Sequence, residues 1–106
     1  MTCRLGFAAG LLEGDGHIQV SQKNGLTINL VCVSEPLIRW YWQLCRDVVG
    51  THIPEPRYQP RSGSGFWSLT VIGRKAEVLG HALLPNGGAM ERKWNVLRHA
   101  LTKTHS

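Results

Sequence analysis

The spacing of hydrophobic and polar positions changes several times along this chain, and each spacing predicts one element. Apolar residues that recur every three or four positions predict helices, whereas alternating apolar and polar residues predict strands. Asn24-Gly25 is a strong hairpin signal, and other glycines and prolines mark the remaining breaks. The predicted elements are a helix ending near Asp15, strands at His17–Lys23 and Leu26–Ser34, a helix from Glu35-Pro36 to Gly50, a Pro-interrupted extended segment at Thr51–Pro60, a strand at Phe66–Ile72, and helices at about Gly73–Leu84 and Met90–Thr102.

Alternation also divides the strand residues between two faces. The apolar face, expected to pack against helices, carries Ile18, Val20, Leu26, Ile28, Leu30, Cys32, Trp67, Leu69 and Val71. The helix after Glu35 is expected to cover the sheet with Leu37, Trp40, Tyr41, Leu44 and Val48. The prolines of the extended segment suit an edge strand. We therefore predict an α+β fold of order αββαββα.

The first helix combines glycines with two acids in an unusual way. Gly6, Gly10 and Gly14 stand at i, i+4 and i+8 and form one smooth helical face. Glycine costs roughly 1 kcal/mol relative to alanine inside a helix, so close contact with a second helix is the expected compensation. Glu13 and Asp15 lie where this helix ends. Two copies meeting there would bring carboxylates together, and these are the ligands that hard divalent cations prefer.

Composition narrows the range of functions. The 106 residues make one domain, 1–106, whose formal charge of +5 favours an anionic partner, with nucleic acid as the first candidate. Cys3, Cys32 and Cys45 are an odd number without CxxC spacing, which indicates neither a disulfide framework nor a zinc site and fits a reducing compartment. No apolar stretch is long enough to span a bilayer, so no membrane partner is expected.

The nine residues from Ala8 to Gly16 read AAGLLEGDG. This run resembles the signature of the LAGLIDADG homing endonucleases. The identical positions are Ala9, Gly10, Leu11, Asp15 and Gly16, and Leu12 and Glu13 are conservative variants. The alternatives are a signal-peptide core and a buried helix that ends in a solvated acidic turn. Export is disfavoured because Arg4 is the only basic flank and no small-residue cleavage site follows.

The resemblance extends over essentially the whole chain and implies a fold and an assembly. The implied fold is a four-stranded antiparallel sheet forming a concave saddle, with helices behind it. Family members with one motif act as homodimers, and this chain has one motif. The dimer contact implied by the helix spacing and the resemblance involves Gly6, Ala9, Gly10 and Glu13.

The resemblance also implies an active site. Asp15 is the metal-binding acid of each subunit, the backbone carbonyl of Gly14 completes the shell, and Glu13 ranks second as a ligand because its usual role is to support the helix junction. The implied cofactor is Mg²⁺ or another divalent cation. A catalytic basic residue is implied early in the last helix, where both Arg92 and Lys93 stand, and the choice between them remains open.

The polar face of the sheet carries hydrogen-bonding groups that a two-stranded ribbon can insert into a major groove. The candidate DNA-binding residues are Gln19, Ser21, Lys23, Thr27, Asn29, Arg57, Gln59, Arg61 and Ser68. Arg57 suits guanine, and Gln19 or Asn29 suits adenine. The alternative is an ordinary solvated sheet face. Such a face is usually mixed with acids, whereas here Glu55 is the one acid expected on it.

Together these features predict a homodimeric, magnesium-dependent, site-specific endonuclease that cuts double-stranded DNA. The leading alternative is a non-enzymatic RNA-binding protein of the same fold, such as an intron maturase or a ribonucleoprotein component, so intron RNA is a second candidate partner. A transcription regulator is a third reading, but it usually needs a separate DNA-binding domain. Family members are typically intron-encoded, so we expect an intracellular location, in a mitochondrion or chloroplast for an organelle gene.

Overall fold

A computed structural model describes residues 2–23, 25–61, 64–86 and 91–103 of the chain. Within these ranges the elements are α1 (Thr2–Asp15), β1 (Gly16–Ser21), β2 (Gly25–Cys32), α2 (Glu35–Val49), β3 (Arg57–Gln59), β4 (Phe66–Ile72), α3 (Gly73–Leu83), a short 3₁₀ turn (Leu84–Asn86) and α4 (Glu91–Lys103). The predicted α+β class is confirmed. Both predicted C-terminal helices are present, so the order written in full is αββαββαα. No helix in the described ranges is long and apolar enough to cross a membrane.

The four strands form one antiparallel sheet in the order β1-β2-β4-β3. Two hairpins, β1 with β2 and β3 with β4, are joined through the central pair of β2 and β4. The edge position of β3 agrees with its proline-rich surroundings, because proline cannot donate to a neighbouring strand. Both strands of the first hairpin end two residues before their predicted limits, at Ser21 and Cys32. Asn24, part of the predicted turn, lies outside the described residues.

The core lies between one face of the sheet and the helices. The buried strand residues alternate along the chain as the sequence predicts: Ile18, Leu26, Ile28, Leu30, Leu69 and Val71. Helix α4 packs on β1, α1 packs on β1 and β2, and α2 and α3 pack on β2 and β4. Tyr41 and Cys45 of α2 are both fully buried, and this burial raises the pKa of the Cys45 thiol to about 12. Each fully buried Leu or Ile contributes about 1.5–3 kcal/mol.

One prediction about the core is wrong, and another is incomplete. Val20 was expected to face the helices, but it is 59% exposed because it lies near the end of an edge strand, where little packs over it. In α2 the buried face consists of Ile38, Tyr41, Leu44 and Cys45. Ile38 is therefore a core residue that the spacing argument missed, while Leu37, Trp40 and Val48 are only half-buried.

Helix α2 begins and ends where the sequence predicts. The Ser34 hydroxyl accepts a hydrogen bond from the Leu37 amide at 3.3 Å, and Pro36 occupies the first turn. At the other end Gly50 adopts a φ of 77°, and its amide donates to the Arg46 carbonyl at 2.8 Å. Glycine adopts this left-handed conformation without the steric cost that other residues pay.

The passage from α1 into β1 has no connecting residue, since the helix ends at Asp15 and the strand begins at Gly16. A Cβ atom on Gly16 would lie 2.6 Å from the Cα atom and 2.7 Å from the carbonyl oxygen of Leu12. Those are backbone atoms and cannot rotate away. The junction therefore requires glycine at this position.

We predict that Gly16→Ala destabilises the protein by about 2 to 3 kcal/mol, because the added methyl group must displace the backbone of α1. His99→Ala is the control, since His99 is an exposed residue of α4 outside both the junction and the proposed α1 contact. It should be neutral or stabilise by up to about 1 kcal/mol through helix propensity. Urea unfolding of both variants measures the difference. Equal effects would show that the junction is not tightly packed.

Candidate nucleic-acid interface and acidic site

Asp15 is exposed at the C-terminal end of α1, immediately before the strand that opens the polar face of the sheet. Gly14 is also exposed. Its carbonyl is one of the last four of the helix, which have no partner within the helix. Carboxylate and carbonyl oxygens are hard ligands of the kind that Mg²⁺ takes. Across the described residues, no group of three or more His, Cys, Asp or Glu side chains is close enough to hold a metal within one protomer.

Glu13 is engaged with another helix. The indole Nε1 of Trp94 donates a hydrogen bond to its Oε1 at 2.6 Å, and Trp94 is only 2% exposed. This contact ties the end of α1 to the first turns of α4. The geometry agrees with a role for Glu13 in supporting the helix junction. Metal binding by Glu13, which ranks second to Asp15 as a candidate ligand, remains a prediction.

The two candidate basic residues, Arg92 and Lys93, belong to the first turn of α4, next to Trp94. Their side chains lie outside the described residues. The hydrogen bond between Glu13 and Trp94 nevertheless brings this turn close to the end of α1. The choice between Arg92 and Lys93 stays open.

The outward face of the sheet is organised in rows across the strands. His17 of β1 lies opposite Asn29 of β2, which lies opposite Thr70 of β4. The Thr70 hydroxyl donates to Oδ1 of Asn29 at 2.9 Å. On β1, Nε2 of His17 lies 3.0 Å from Oε1 of Gln19, and since an amide oxygen only accepts, the imidazole is the donor. Alternation in the sequence predicts that His17 and Thr70 lie on this face, although neither is among the predicted DNA-binding residues.

A second row crosses the β3 side of the face. Ser68 of β4 lies between Val31 of β2 and Arg57 of β3, and Arg57 is exposed. Gln59 is exposed opposite Phe66, and the Arg61 guanidinium lies 4.7 Å from the centroid of the Phe66 ring.

The remaining candidates on this face differ in exposure. Lys23 is exposed in the turn after β1, whereas Ser21 is half-buried. Thr27 is only 8% exposed in the central strand, so it offers little surface to a base.

Acids are scarce on the outward face. None of the four strands contains Asp or Glu. Glu55, the acid expected there, lies before β3, and its carboxylate is 3.8 Å from the Arg39 guanidinium of α2. The candidate interface is therefore polar and basic.

Helix α1 presents a second exposed surface. Its exposed stripe, which we call the α1 stripe, consists of Cys3, Phe7, Gly10 and Gly14. A Cβ atom on Gly10 or Gly14 would meet nothing within 4 Å in the described structure. Ala9, predicted as an interface residue, is instead fully buried in the protomer core.

Phe7 is the member of the α1 stripe that the sequence analysis missed. Its side chain is 54% exposed, and its ring packs edge-on against Trp40 with centroids 5.1 Å apart. Its position three residues before Gly10 was the signal that could have found it, because residues at this spacing share a helical face.

The sequence matches no protein-family model and no curated protein. Among solved structures, two complexes of the homing endonuclease I-CvuI are similar to this chain. The complex with its Sro1.3 target in 2 mM Ca has a TM-score of 0.56 and 16% identity, covering 98% of this chain and 71% of that one. The complex with the I-CreI target C1221 in 2 mM Mg, in which the DNA is not cleaved, has a TM-score of 0.55 and 15% identity, covering 96% and 69%. This chain has the LAGLIDADG homing endonuclease fold.

In this LAGLIDADG fold the motif-like run Ala8–Gly16 forms the end of α1 and the first residue of β1. The resemblance drawn from the sequence and the four-stranded antiparallel sheet are thereby confirmed. A likeness at this level of identity establishes the fold, while the roles of Asp15, Arg92 and Lys93 remain predictions.

We predict that Trp94→Phe destabilises the protein by about 1.5–3 kcal/mol, because the hydrogen bond it removes has a charged acceptor. A double-mutant cycle with Glu13→Met, which has no comparable acceptor, separates the lost hydrogen bond from the lost ring volume. The two effects should couple by about 0.5 kcal/mol or more, measured by urea unfolding. Strictly additive effects would show that the contact adds nothing to stability.

Proposed function

We propose that this protein is a site-specific endonuclease that hydrolyses both strands of duplex DNA as a homodimer, using a divalent cation. The observation that carries the proposal is the position of Asp15. It is exposed where α1 passes into β1, so it adjoins both the α1 stripe and the polar sheet face. The structural neighbours, which are homing endonuclease complexes with target DNA, support the same reading.

The homodimer is supported by the composition of α1. Its buried side carries Ala8, Ala9 and Leu12, and the α1 stripe on its other side is formed only of small or apolar residues. A helix that is apolar on both sides is stable when both are covered. A second copy of α1 packed on this stripe covers it and brings the two Asp15 carboxylates together. Gly6, Gly10 and Glu13 remain at or near this contact, while Ala9 stays inside the protomer.

Oxygen donors at the end of α1 fit Mg²⁺ or a similar hard cation. Asp15 offers a carboxylate and Gly14 an unpaired helix carbonyl, and the partner subunit supplies the same pair. When bound, such a cation activates water and stabilises the leaving oxygen of a phosphodiester. In this chain, Asp15 would hold the cation. By the family resemblance, Arg92 or Lys93 is the basic residue that would stabilise the negative charge developing on the phosphate.

DNA affinity is assigned to the outward face of the sheet. The net charge of +5 attracts the phosphate backbone, and the face has no acid in its strands to oppose that attraction. Arg57, Gln59 and Lys23 are exposed and can reach phosphates or base edges. In a dimer the two faces read the two halves of one site, as the protein's own symmetry dictates.

We expect Asp15→Asn to abolish cleavage while changing duplex affinity by no more than about tenfold, because it removes the metal-binding charge and keeps the shape. Cleavage with magnesium and binding without it are measured on one duplex, selected from a randomised library by sequencing cut ends.

Asp47→Asn is the matched control for Asp15→Asn. Asp47 is an exposed acid of α2 whose hydrogen bonds with Gln43 and Arg4 lower its pKa, and it lies away from the α1–β1 junction in sequence and fold. This variant should cut normally. If Asp15→Asn cut at the wild-type rate, Asp15 would not be in the active site. Tight binding of structured RNA with no duplex cleavage would instead favour the ribonucleoprotein reading.

We expect Gly10→Leu to shift the protein from dimer to monomer, since a large side chain holds the two copies of α1 apart. Within the protomer, Gly10 is exposed and a Cβ atom there meets nothing within 4 Å in the described structure. His99→Leu, which replaces an exposed imidazole of α4 by the same leucine side chain, is the control and should remain dimeric. Sedimentation velocity measures both variants. A dimeric, active Gly10→Leu protein would show that the α1 stripe is not the interface.

A further inference from the structure

Two of the side-chain amides on the outward face, those of Asn29 and Gln19, have their oxygen directed along the sheet. Oδ1 of Asn29 accepts from the Thr70 hydroxyl at 2.9 Å, and Oε1 of Gln19 accepts from the His17 imidazole at 3.0 Å. The two contacts are independent, because one joins β2 to β4 and the other lies within β1. The same orientation therefore arises twice on one surface.

This orientation decides which half of each amide faces a ligand. The oxygen and the NH₂ group are attached to one planar carbon and point in directions about 120° apart. When the oxygen is turned sideways to a neighbour on the sheet, the NH₂ group is left to point away from that neighbour. Adenine is read by an amide that offers both atoms to the same base edge, accepting from N6 and donating to N7. Each amide oxygen has two lone pairs and one of them is already engaged, so an amide held in this way offers a ligand two donors and one remaining acceptor position.

We propose that this face reads acceptor edges, guanine N7 and O6 or thymine O4, through Asn29 and Gln19, and that Thr70 is the positioning residue that sets the Asn29 amide. The proposal rests on the proposed function and revises the adenine assignment made for these two residues from sequence. Thr70 itself need not touch the DNA. Its hydroxyl acts through Asn29, as His17 acts through Gln19.

The rest of the face points to the same preference. Arg57 and Lys23 are exposed side chains with donors and no acceptors, and the strands contain no carboxylate that could accept from the amino groups of cytosine or adenine. A donor-rich surface gains most from bases with two acceptors in the major groove, which describes guanine.

Base preference is measured with a duplex library randomised across the half-site, bound without divalent metal and sequenced. Asn29→Ala identifies the symmetric pair of positions that Asn29 contacts. At that pair the wild type should favour guanine or thymine over adenine by about tenfold or more. Thr70→Val keeps the shape but removes the donor, so the amide turns freely and the preference against adenine should fall to within about threefold. Thr70→Ser, which restores the hydroxyl, should restore the preference.

A second probe tests the acceptor directly. Where guanine is selected, replacing its G·C pair by a 2-aminopurine·T pair removes O6 and keeps N7, and should weaken wild-type binding about as much as Asn29→Ala does, with no further loss in the combined case. Where thymine is selected, cytosine at that position, which replaces O4 by an amino donor, takes the same role.

Different experimental results would contradict the inference and the proposed function on which it rests. A wild-type preference for adenine at the Asn29 position, or an unchanged preference in Thr70→Val, overturns the inference while leaving duplex binding and cleavage intact. If the wild-type protein bound no duplex at all, both the inference and the proposed function would be overturned.

Discussion

The close contact between Gly16 and the backbone of Leu12 is the constraint on which the rest of the structure depends. It allows a helix to pass into a strand without a loop, so that Asp15 has one fixed position at the surface. The same passage sets which side of β1 faces the helices, because strand residues alternate from that point onward. Ile18 is thereby buried, and His17 and Gln19 are turned outward. With a looser junction, Asp15 would have no fixed position relative to the polar face of the sheet.

Much of the architecture was predictable because its signals are local. Helix α2 follows from Ser34, Pro36 and Gly50, and β4 was predicted with its observed bounds because its apolar and polar residues alternate without interruption. The errors occur where tertiary packing decides. Val20 has the pattern of a core residue, yet the edge of the sheet leaves it exposed, and Ile38 lies inward because of how α2 is rotated on the sheet.

The candidate site shows the same division. The motif-like run located Asp15 and the glycines of α1, and alternation located most of the polar face. Contacts between residues distant in the chain could not be predicted. Examples are the hydrogen bonds of Trp94 with Glu13 and of Thr70 with Asn29, whose partners are 81 and 41 positions apart. A single sequence carries no record of such pairs. They matter because hydrogen bonds orient a side chain as well as stabilise it, and orientation determines which ligand it recognises.

Asp15 is placed where the physics of an isolated chain does not favour a carboxylate. The C-terminal end of a helix carries partial negative charge, and an acid there costs about 0.3–1 kcal/mol. Packing a second α1 against the first would add repulsion between two such acids. In the proposed dimer, a divalent cation bound between the two acids would add attractions to both carboxylates and to both helix ends that outweigh these repulsions. A cost that is local to one chain would then become affinity for a cation, which is the arrangement expected when a site is selected for function over stability.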